Sequence, residues 1–60
     1  MATSQDYAAG TAAALAVETQ IIKDKGIPAF LTPPQSVLEQ YAVQVAKAVI
    51  DAVDAARAAI

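Results

Sequence analysis

All three prolines of this chain, Pro28, Pro33 and Pro34, lie in one short stretch, "GIPAFLTPP", and neither flank holds another. Proline removes a backbone donor and its ring clashes with the preceding turn, so no helix continues through this stretch. Gly26, at its head, supplies a left-handed stop, and Pro28 follows two residues later. The chain is thereby cut into two long segments, each of which must form its own element. Both read as helices, because apolar residues recur at three- and four-residue spacing on either side of the break. The expected fold is all-α and a single small domain over residues 1 to 60. Helix one covers about 4 to 25, a Pro-rich connector 26 to 32, and helix two about 33 to 59. The connector is long enough for the helices to fold back as a hairpin or to splay toward different chains.

End signals support these limits. Thr3 or Ser4 can cap the first helix, with Asp6 near its positive end and Lys23 and Lys25 near its negative end. In "TPPQ", Thr32 reads as the N-cap of the second helix, Pro33 as its first residue and Gln35 as the closing member of a capping box. Pro34 blurs that register, since a residue before proline disfavours the helical well.

The helical faces carry more apolar surface than a lone hairpin can cover. On helix two, Ser36, Gln40, Gln44, Lys47, Asp51 and Asp54 form one polar stripe. Leu38, Tyr41, Val45, Ala48, Ala52, Ala55 and Ala59 form a seam expected to pack on a neighbouring helix, and Val43, Ala46, Ile50, Val53 and Ile60 form a second ridge rotated away from it. Helix one has a seam of Tyr7, Gly10, Ala14, Val17 and Ile21, in which Gly10 and Ala14 allow close backbone approach. Beside it runs Ala8, Thr11, Leu15, Glu18 and Ile22, where Glu18 is expected to reach water at the edge or to meet a cation from another chain. A chain of this length buries only about 60% of its unfolded surface. Sixteen of its 60 residues are alanines with one methyl each, and no cysteine is present to staple them. Partner chains are the remaining source of burial.

The same residues argue against chemistry. His and Cys are absent, which removes the commonest general base, the strongest nucleophile and the usual zinc ligands. Asp51 and Asp54 share a face, but Lys47 and Arg57 lie one turn away as charge partners, so solvated carboxylates are expected rather than a metal site. Ser4 and Ser36 stand at helix starts without a base, and neither glycine belongs to a phosphate-cradling loop. No cofactor is implied. A net charge of −2 with only four basic side chains gives no stripe for nucleic acid. No charge-free run is long enough to span a membrane, and no basic segment precedes an apolar run as a secretory signal would require. Cytoplasm or a virion is the expected location.

A non-enzymatic structural or assembly subunit follows from these readings, a small helical component of a larger oligomeric complex. An accessory component of a bacteriophage virion is one chain of this type, being short, Ala-rich and without catalytic groups. The alternative is a soluble homodimeric adaptor or regulator that holds one protein partner. Expected partner-binding residues are Val43, Ile50 and Val53 of the second ridge, Ala48, Ala52 and Ala55 of the seam, and Phe30 and Leu31 of the connector, unless these last two fold back against Ile22, Ile27 and Val37 to plug the end of their own hairpin.

Overall fold

The computed structural model describes residues 1–60. Helix α1 runs Ser4–Asp24, a single 3-10 turn Ala29–Leu31 occupies the connector, and helix α2 runs Gln35–Ala58. There are no strands, and the two helices pack on each other as a hairpin. Of the two arrangements the connector permits, the chain folds back.

Local chemistry explains the limits of α1. Thr3 is the N-cap: its hydroxyl accepts from the Asp6 amide at 3.2 Å while the Asp6 carboxylate accepts from the Thr3 amide at 2.8 Å. This reciprocal box satisfies two donors that a helix start would otherwise leave unpaired. At the far end Lys25 is the C-cap and Gly26 turns left-handed at φ 64°, a conformation that costs glycine little.

The start of α2 differs from expectation. Helical geometry begins at Gln35, the N-cap is Pro34, and no side chain caps it. Thr32 is extended, and its hydroxyl donates back to the Pro28 carbonyl at 3.0 Å. Two successive prolines hold the residue before each of them out of the helical well, so Thr32 is spent closing the 3-10 turn.

Small side chains set the packing between helices. In α2 only Leu38, Ala42 and Ala46 are buried, and Ile50 and Asp54 continue that row half-buried. Against them α1 places Tyr7, Gly10, Thr11, Ala14, Leu15, Glu18 and Ile22, all half-buried. Four-residue rows on both helices interdigitate, as ridges fit grooves. The expected seam of α2 is thus rotated: Leu38 belongs to the contact, whereas Tyr41, Val45, Ala48, Ala52, Ala55 and Ala59 are exposed. Gly10 is the reason, because its missing side chain lets Ala46 and Ile50 approach α1 closely and draws their row inward. The hairpin measures 45 × 19 × 13 Å along its principal axes. Its shortest dimension is about one helix diameter, so both broad faces of the slab stay open.

Candidate protein-binding face

The two broad faces differ in chemistry. One side carries a polar tie between the helices. The Tyr7 hydroxyl donates to Asp51 Oδ1, Lys47 Nζ donates to Asp51 Oδ2 at 2.8 Å, and Lys47 Nζ stands 5.8 Å from the centre of the Tyr7 ring. The hydrogen bonds from Lys47 and then Tyr7 hold the Asp51 carboxyl below its ordinary range. That from Tyr7 to Asp51 pushes the phenol up, and Asp51 raises Lys47. At the open end the Ala2 amide donates to Asp54 Oδ2 at 2.9 Å. Val43 sits on this polar side, lining a shallow hollow with Tyr7, Thr11 and Lys47.

The opposite side is apolar. Ala9, Ala13, Val17 and Ile21 follow one another at four-residue spacing on α1, and Tyr41, Val45, Val49 and Val53 do so on α2. Each row lies one residue before the row its helix buries. In an antiparallel pair that offset puts both rows on the same side, and Ile21 and Tyr41 do line one groove together. The six large members are 43% to 58% exposed, although no charged residue interrupts either row. Scattered exposed apolar residues are ordinary; a continuous two-helix face of them is a candidate interaction surface.

At the connector end the groove contains Glu18, Ile21, Ile22, Pro33, Leu38 and Tyr41. Glu18 is half-buried there, with its Oε2 buried and without a hydrogen-bond partner. Beyond the groove, Phe30 is 85% and Leu31 63% exposed, so neither plugs the end of the hairpin.

The partner-binding residues expected from the sequence are therefore spread out. Val53 belongs to the apolar face, Phe30 and Leu31 stand free on the connector, and Val43 lies on the polar side. Ala48, Ala52 and Ala55 are exposed, whereas Ile50 is committed to contact with Gly10. Sequence reasoning left Val49 out of every ridge and divided Val17 and Ile21 from Tyr41 and Val45. The available signal was the row Tyr41, Val45, Val49, Val53, spaced by four.

No cluster of three or more Asp or Glu side chains is placed to hold a metal ion, and no helix is long and apolar enough to cross a membrane. No protein-family model matches the chain, and comparisons with curated proteins and with solved structures give no match.

Proposed function

We propose that this chain is a non-catalytic assembly subunit that works by laying its apolar hairpin face against protein in a larger complex, of which a virion is one example. The observation that carries this reading is the uninterrupted exposed surface of Val17, Ile21, Tyr41, Val45, Val49 and Val53 on one side of a slab one helix thick. Globular domains cover such a face with a second layer, and the two helices form only one.

The titratable groups support the same reading. Asp51 is shifted down, while Tyr7 and Lys47 are shifted up. All three move away from neutrality, whereas an acid or base at work there needs a pKa near the operating pH. The cluster fits a tie between helices better than a proton-transfer site. Circular dichroism and sedimentation velocity on dilution from micromolar to nanomolar test the proposal. Helicity and mass that fall together support it; a helical monomer with a cooperative melt at every concentration overturns it.

A further inference from the structure

Glu18 Oε2 is the one buried side-chain oxygen left without a hydrogen bond, and it lies in the groove at the connector end of the apolar face. Glu18 as a whole is half-buried, but an acceptor oxygen shut away from water is costly unless a cation or donor meets it. Within the hairpin none does. The row that begins at Tyr41 in this groove continues through Val45, Val49 and Val53 to Arg57 at the opposite end. Arg57 is exposed and forms no ion pair, the single pair being Lys47 with Asp51; Asp6 and Asp54 share a hollow with Arg57 but stay beyond ion-pair distance. Tyr41 and Arg57 lie roughly 24 Å apart along the helix at 1.5 Å per residue, and Val49 is their midpoint.

We propose that the occupant of the apolar face is a second copy of this chain. The two α2 helices cross antiparallel about a two-fold axis at Val49, and Arg57 of each copy enters the Glu18 groove of the other. Tyr41 then meets the partner's Arg57, Val45 the partner's Val53, and Val49 its own counterpart. This pairing rests on the assembly reading above and identifies its first partner.

Three observations favour a copy over another occupant. The accessible surface is 4597 Å². A compact monomer of this mass exposes about 3,650 Å², so the excess is roughly 950 Å², close to the ~800 Å² that each partner contributes to a standard interface. Neither row of the face contains a charged residue between its ends, and the two acids that border its open end, Asp6 and Asp54, share their hollow with Arg57. Its unpaired acid and unpaired base sit at opposite ends, the placement that a two-fold axis converts into two identical ion pairs. The product is a two-layer bundle of four helices.

Sedimentation equilibrium on the full chain is the test. The wild type is expected to dimerise. E18R and R57E are each expected to weaken the dimer at least about tenfold, as loss of a close interfacial charge pair does, and E18R/R57E to recover most of it. Thr19→Arg, off the apolar face, is the control that leaves it unchanged. Circular dichroism reports whether each variant folds, and R57E, at an exposed position, carries the test alone if E18R does not. A dimer indifferent to R57E, or one that the folded double variant fails to restore, overturns this pairing and leaves the assembly reading intact. A wild type that stays monomeric but poorly helical does the same. A wild type that is a stable helical monomer overturns both.

Discussion

Gly10 and Ile50 meet across the hairpin so closely that a methyl on Gly10 would stand 2.9 Å from Ile50 Cδ1 and 3.4 Å from the Ala46 methyl. Two opposing effects decide what Gly10→Ala does. Alanine in a helix interior gains about 1 kcal/mol over glycine. Against it stands a clash with the far end of a half-buried side chain that can rotate. The expected outcome is a stability within about 1 kcal/mol of wild type, because overpacking costs start near that value. Removing Cδ1 separates the effects: in an Ile50→Val background, Gly10→Ala should recover its full propensity gain. Thermal melts of the four members of this cycle check it. A Gly10→Ala effect that is the same in both backgrounds means that Ile50 does not feel the methyl.

The two threonines before the helices look alike in sequence and differ in consequence. Thr3→Ala removes a side-chain cap from α1 and should cost about 1 kcal/mol, the usual loss for an N-cap threonine. Thr32 caps nothing in α2, so Thr32→Ala should cost less than Thr3→Ala, by only its bond to the Pro28 carbonyl. Denaturant midpoints measured side by side decide the order.

That contrast shows which signals were legible. The break at Gly26, the Thr3 cap and the all-helical fold depend on neighbours in sequence, and periodicity and cap chemistry reveal them. The start of α2 depends on which of two adjacent prolines governs the backbone, a conformational choice that residue identity leaves open. The contact row of α2 depends on where α1 comes closest. Gly10 and Ala14 announced a close approach, but not that Ala46 and Ile50 would be the residues to fill it. Once that row turned inward, Val49 was left outside beside Val45 and Val53. Each row of the apolar face can be read from its own helix, but only the pairing sets the two rows side by side and leaves them uncovered.

The Tyr7, Lys47 and Asp51 tie should give the hairpin two pH limits of opposite sign. Asp51 has a folded pKa below its ordinary 3.8, so its contribution is present above that value and is lost as pH falls through the folded pKa. Asp6, lowered by its bonds to Thr3, behaves likewise. Tyr7 and Lys47 are raised above 10.0 and 10.5, so their contribution is complete below those values and disappears as pH climbs through the folded ones. Asp51→Asn should flatten part of the acid limb and leave the share due to Asp6, while Tyr7→Phe should flatten part of the alkaline limb. Melting temperature followed against pH for both variants checks the signs. An acid limb unchanged in Asp51→Asn would show that the tie does not form in solution.

Phe30 presents the largest apolar side chain of the connector to solvent, at 85% exposure, next to Leu31 at 63%. Full burial of either is worth about 1.5–3 kcal/mol, and the hairpin collects little of it for Phe30 and only a minor part for Leu31. The 3-10 turn over Ala29–Leu31, with proline on both sides, fixes the backbone that carries them, which lowers the entropy lost when such a turn docks. A rigid turn holding Phe30 outward fits an anchor for a pocket on another subunit, placed beside the Glu18 groove without being part of it. Phe30→Ala should therefore leave the melting of the isolated chain within about 0.5 kcal/mol of wild type, as substitutions away from packed contacts do. The same variant should abolish co-purification with the native assembly while leaving the antiparallel dimer intact. A fall in the melting temperature of the isolated chain would mean that Phe30 folds onto its own hairpin in solution. Unchanged melting together with unchanged co-purification would reduce the turn to a spacer between α1 and α2.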